Sequence, residues 1–217
     1  EQAGEAAALE TRVGWLRDFA ALGSAVDRPL AEFTARTHGA AQVVGYHKAA
    51  MLFLMLRDAI GAEAFDRALR AFWREHRGGV ASWDDLRASF ESASGGDLRA
   101  FFEQWLSRPG APDLRLEAAR AVAHGTGWKV EVTLSQPGRP WQVRVPVVLQ
   151  SADGSGEQRW LDLDRERQSF GLAATQPPVR VMLASSTARA RPKSVIFTFC
   201  SAPWSSRMLP GLMSRCT

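Results

Sequence analysis

Apolar positions recur every three or four residues along the first half of the chain and every second residue through much of the second half. Leu9, Val13, Leu16 and Ala20 fall at helical spacing in the alanine-rich stretch 5–22, which Gly23-Ser24 ends. Ala49, Leu52, Phe53, Leu56 and Ile60 form one face of a buried helix, with Gly61 as its stop. Phe65, Leu69, Phe72, Trp73 and His76 repeat the pattern before Gly78-Gly79. Ser82 is placed to cap the next helix, Asp84 and Asp85 favour its first turn, and Trp83, Leu86 and Phe90 form its inner face. Gly95-Gly96 breaks that helix and Asp97 caps another, from which Leu98, Phe101, Phe102, Trp105 and Leu106 face inward. Trp73, Trp83 and Trp105 are thereby expected in the core.

Pro109-Gly110-Ala111-Pro112 signals a linker, and after it the period changes to two. Trp128, Val130, Val132 and Leu134 alternate with Lys129, Glu131, Thr133 and Ser135. Trp141, Val143, Val145 and Val147 alternate again beyond the turn at Pro137-Gly138-Arg139-Pro140. Shorter strands are expected near 160–163, 169–172 and 179–183. Strands at this spacing suggest a small β-sandwich. The expected fold class is α+β, with an all-helical segment over 1–108 and a β-sandwich over 113–184.

Composition alters this picture mainly at the C-terminus. The chain has 217 residues, 46% apolar, and a formal net charge of +4. Seven of its basic residues and no acid lie between Arg167 and Thr217, which leaves residues 1–166 at −3. The body is mildly acidic, and residues 185–217 read as a separate basic tail, irregular or translated from a shifted frame. Its apolar run Val195 to Phe199 does not extend the sandwich in any clear way. It lacks the dense Lys/Arg clusters typical of phosphate binding, so no nucleic-acid partner is expected. Cys200 and Cys216, the two cysteines, form neither a disulfide framework nor a Cys-x-x-Cys pair. The longest apolar stretch, Met51 to Met55, is too short for a transmembrane segment. The acidic, alanine-rich start at Glu1 is unlike a signal peptide and suggests a fragment or a processed product.

The candidate chemistry centres on Tyr46, the lone tyrosine, in Val43-Val44-Gly45-Tyr46-His47-Lys48-Ala49-Ala50. A phenol at the start of an apolar helix can donate a hydrogen bond to an oxygen that gains negative charge. The plainer alternative is a half-buried tyrosine bonded to backbone. The four histidines, His38, His47, His76 and His124, include no pair at i, i+4, the spacing that lets two imidazoles meet one metal on a helix. No metal ligands are therefore assigned. Asp84-Asp85 reads as helix-start charge rather than a carboxylate dyad.

Taken in order, several segments resemble the C-terminal half of the M1 (gluzincin) zinc aminopeptidases. They are Tyr46-His47-Lys48-Ala49-Ala50, Leu56-Arg57-Asp58-Ala59-Ile60-Gly61, Ser82-Trp83-Asp84-Asp85-Leu86, the run Asp97 to Leu106, Gly110-Ala111-Pro112, and Val145-Pro146-Val147-Val148-Leu149. The resemblance runs from about Gly45 to Leu183. It implies that the helical segment is the C-terminal part of a thermolysin-like catalytic domain. It also implies that Tyr46 stabilises the oxyanion of peptide hydrolysis, with His47 and Lys48 lining the cleft. The family's zinc would be bound by a His-Glu-x-x-His segment N-terminal to the tyrosine, so this chain is expected to bind no zinc alone. It would meet peptide substrate only together with a missing N-terminal half. Where the family has Tyr-x-Lys-Gly, this chain has Ala49, which favours helix over glycine. The alternative reading is a non-catalytic M1-like scaffold or protein-interaction module.

Overall fold

The computed structural model describes residues 4–23, 26–33, 39–183 and 196–198. Helix α1 spans Glu5–Ala20, a single 3₁₀ turn spans Leu30–Glu32, and the three-residue α2 spans Ala40–Gln42. A π-helical turn, Val43–Lys48, then leads without a break into α3, Ala49–Ile60. Helices α4 (Ala62–His76), α5 (Trp83–Ser94) and α6 (Arg99–Ser107) complete the helical half. Gly61 adopts φ 84°, so one residue both ends α3 and starts α4. Ser82 and Asp85 form a reciprocal capping box at the start of α5. Asp97 Oδ1 accepts the Arg99 N–H at the start of α6, while Glu91 accepts the Leu98 N–H.

The helical core is built around Leu52, Leu56, Ala68, Phe90, Phe102 and Trp105. Trp83 packs against it partly buried, as its spacing suggests. Trp73 departs from expectation and is 67% exposed. The buried face of α4 runs through Ala64 and Ala68, which small side chains let α5 approach. Trp73 lies nine residues beyond Ala64, about two and a half turns, and so points the opposite way.

The second half is all β. Strands β1 (Arg115–His124), β2 (Gly127–Ser135) and β5 (Arg167–Ala174) form one antiparallel sheet in the order β1-β2-β5. Strands β3 (Val143–Ser151), β4 (Gly156–Leu163), β6 (Pro178–Leu183) and β7 (Ile196–Thr198) form another, in the order β4-β3-β6-β7. Val130, Val132 and Leu134 of the first sheet share one core with Val145, Val147 and Val181 of the second. The architecture is thus α+β, with two small antiparallel sheets.

Three features of this half differ from the expected pattern. β1 is an additional strand, because its Ala-Ala-Arg-Ala-Val-Ala run carries little strand propensity; pairing with β2 makes it a strand. Ile196–Thr198, in the middle of the apolar run expected to stand apart, pairs with Arg180–Met182 and extends the second sheet. Trp141 is buried in the helical core rather than the sheet core, with its ring 4.8 Å from that of Trp105. The rest of the expected tail, including Cys200 and Cys216, lies outside the described residues, as does His38.

Candidate functional site

Tyr46, expected at a helix start, lies instead inside a continuous helical run, in the π turn between α2 and α3. A π turn widens the backbone and changes the direction of the side chains it carries, and such turns recur at functional sites. A Cβ at Gly45 would overlap the Phe33 ring, which would have to move to admit one. With no side chain at 45, Phe33 reaches the turn and meets Tyr46 edge-to-face, ring centroids 5.6 Å apart at 72°. Tyr46 remains 44% exposed.

The next two side chains are held elsewhere. The His47 ring stacks on Trp15 of α1 at 6.1 Å, and its Nδ1 lies 3.3 Å from Asp18 Oδ2. That contact has ion-pair distance without hydrogen-bond geometry, so the buried Nδ1 has no hydrogen-bond partner. Lys48 is only 6% exposed. Its Nζ donates to the Arg108 carbonyl at 2.8 Å and lies 5.7 Å from the centre of the Phe19 ring. Burial pushes the Lys48 ammonium below the usual lysine range, and the charge of Asp27 partly opposes this. Asp27 Oδ2 in turn accepts the Gly110 N–H at 2.6 Å, while its buried Oδ1 has no hydrogen-bond partner. Of the three consecutive residues Tyr46, His47 and Lys48, only Tyr46 is exposed.

Tyr46 does not line the cavity of about 600 Å³ that lies where α3 and α6 meet β3 and β4. That cavity is bordered by Asp58, Phe101, Trp160 and Asp162. Burial holds the Asp58 carboxyl above the usual range, against the lowering influence of Arg57 and Arg12. No Tyr, Ser or Thr side chain borders the cavity. Neither of the remaining described histidines carries such an arrangement. His76 ends α4 with its ring 4.7 Å from that of Phe72, and His124 is exposed at the end of β1. Among the described residues, no three His, Cys, Asp or Glu side chains come together as a metal site. Nor is any of the chain's described helices long and apolar enough to cross a membrane.

The sequence pointed to Tyr46, His47 and Lys48 but missed Asp27 and Arg108, which act on the Lys48 ammonium. Both are polar residues beside loops, with no periodic signal.

Comparisons with known proteins bear on this same segment. Residues 32–105 match the family described as the Peptidase family M1 domain. The chain is 31% identical over 104 residues to aminopeptidase M1 of Arabidopsis thaliana, covering 42% of this chain and 12% of that protein. It is 36% identical over 72 residues to aminopeptidase N of Lactococcus lactis subsp. lactis, covering 33% and 8% respectively. The chain thus spans only about a tenth of the length of these relatives. In fold it is similar to the crystal structure of Legionella pneumophila aminopeptidase A in complex with aspartic acid, with a TM-score of 0.57 and 23% identity. That likeness covers 76% of this chain and 19% of the other.

Proposed function

We infer that this chain, an M1-family aminopeptidase-like protein, is part of a zinc-dependent aminopeptidase in which the Tyr46 hydroxyl stabilises the reaction's oxyanion. The carrying observation is the position of Tyr46. It falls inside the matched segment 32–105, and its ring stays half-exposed on a turn whose other contacts are fixed. When the amide carbonyl of a peptide's first residue is attacked, its oxygen becomes an alkoxide. A phenol O–H donating to that oxygen binds it more tightly as its charge grows, which lowers the barrier without tightening ground-state binding. Loss of one such donor typically costs about 2.7–4 kcal/mol of transition-state stabilisation.

The metal is not assigned to this chain, because its described residues bring no ligand set together. Ligands would come from a part of the longer protein that the relatives contain and this chain does not match. His47 borders the tyrosine from the α1 side and Lys48 holds the turn beneath it, so both act on the cleft through its wall. We read the helices over 1–108 as the C-terminal part of a thermolysin-like domain, and the two sheets over 113–184 as a β-sandwich beside it. The single core shared by the sheets supports that reading.

The test is to purify the gene product including any sequence encoded upstream of Glu1, then measure zinc content and hydrolysis of aminoacyl anilides. Stoichiometric zinc and turnover abolished by chelation are expected, with neither property in residues 1–217 alone. A longer product that folds, holds no zinc and turns nothing over would favour the scaffold reading instead.

A further inference from the structure

We propose that the β half of the molecule sets the position of Tyr46, through Arg108 and Lys48 as positioning residues. The connection consists of direct contacts. The Arg108 guanidinium donates to the carbonyls of Pro140 at 2.9 Å and Arg139 at 2.7 Å. It also lies over Trp141, 3.9 Å from the ring centre. This loop is itself fixed. Gln136, 1% exposed, donates to the Trp141 carbonyl at 2.8 Å and accepts the Trp141 N–H at 2.9 Å, and it also donates to the Arg165 carbonyl. Arg108 thus grips a loop that the sheet core holds from the other side.

The same residue reaches back to the tyrosine through its backbone. The Arg108 carbonyl accepts from Lys48 Nζ, and Lys48 closes the π turn that carries Tyr46. Within that turn the Ala49 N–H donates to the Tyr46 carbonyl. Asp27 reinforces the junction by holding Gly110, two residues past Arg108, and its charge favours the ammonium form of Lys48. A buried ammonium needs its partners, because away from water nothing else compensates its charge. Lys48 therefore follows the Arg108 carbonyl when that carbonyl moves, and the turn follows Lys48. A surface tether could slip with little consequence; a desolvated one cannot.

Tyr46 is the only tyrosine, so protein grown with 3-fluorotyrosine gives a single ¹⁹F resonance that reports its surroundings directly. This readout needs no catalysis. It therefore stands or falls separately from the oxyanion role on which the functional meaning of the proposal rests. In the 217-residue chain, Arg108→Ala and Lys48→Met are expected to move the resonance by more than its own line width in the same direction. The double variant should go no further than the larger single one, and Lys48→Arg should recover part of the shift. Gln104→Ala is the contrast. It removes the paired hydrogen bonds between Gln104 and Gln142, which tie the same two halves outside the Lys48 connection. It should leave the resonance in place.

An unmoved resonance in Arg108→Ala would overturn the proposal, as would an equal shift in Gln104→Ala, which would mean general loosening of the joint. Arg108→Ala keeps the backbone carbonyl and empties only a surface-facing grip, so it decides the question even if Lys48→Met fails to fold.

Discussion

The two halves of the molecule bury apolar surface in different ways, and the difference shows where chemistry can reside. The helical half is stitched by rings: Phe53, Phe65, Phe90, Phe102, Phe101 and Trp105 meet in pairs with centroids 5.2–6.5 Å apart. The sheet half is filled by Val130, Val132, Val147, Leu149, Leu163 and Val181. Branched aliphatic side chains on regular strands pack in register and leave backbone groups paired in the ladder. The helical half also contains a π turn, which buries a lysine and presents a phenol. The reactive candidate lies in the irregular half, and the regular half meets it through a joint of buried polar groups, Lys48 on one side and Gln136 on the other. A regular unit makes a firm reference against which an irregular turn can be held.

Emptying each core tests this contrast most forcefully. Phe90→Ala removes a ring that touches three others and should lower unfolding free energy by about 3–5 kcal/mol. Leu163→Ala in the sheet core should cost about 2–5 kcal/mol, with the smaller values if the aliphatic layer closes over the gap. Denaturant titration followed by tryptophan fluorescence measures both. Because Trp141 of the β half sits in the helical core, both variants should shift one common transition; two separated transitions would show that the joint does not couple the halves. A smaller effect is expected at the α5 cap, where Ser82→Ala removes the acceptor for the Asp85 N–H and should cost about 1 kcal/mol in the same assay.

Acid gives the mildest test. Hydrogen bonds from the Arg99 side chain and backbone hold the Asp97 carboxyl down to about 2, from an ordinary 3.8. Its stabilising contribution is therefore present above pH 3.8 and lost as pH falls from there through about 2. Asp97→Asn should flatten the acid limb of the stability–pH curve slightly, and a steeper limb would contradict the assignment.

Much of this organisation was legible in the residue pattern, and the failures have physical causes. Helices α3 to α6 were readable because their apolar stripes and glycine or serine boundaries agree with each other, as at Ser82 and Gly61. Trp73 misled because an aromatic at helical spacing reads as core, whereas the closely packed face of α4 is lined by alanines. β1 was invisible because cross-strand pairing, not propensity, makes an alanine-rich run extended. The identity of the candidate tyrosine came from its sequence surroundings, but its setting did not. A π turn leaves no mark in apolar period, and the contact of Lys48 with the carbonyl of Arg108 spans 60 positions.

The central claim is that Tyr46 acts on the transition state and not on substrate binding. The most direct measurement is steady-state hydrolysis of an aminoacyl anilide by Tyr46→Phe and its parent, both in the zinc-loaded enzyme proposed to include this chain. Phenylalanine keeps the ring against Phe33 and removes only the hydroxyl. The expected result is a fall in kcat of about 10²–10³-fold with KM nearly unchanged. Unchanged kcat in a folded, zinc-loaded variant would contradict the account and leave Tyr46 as a packing residue on its turn.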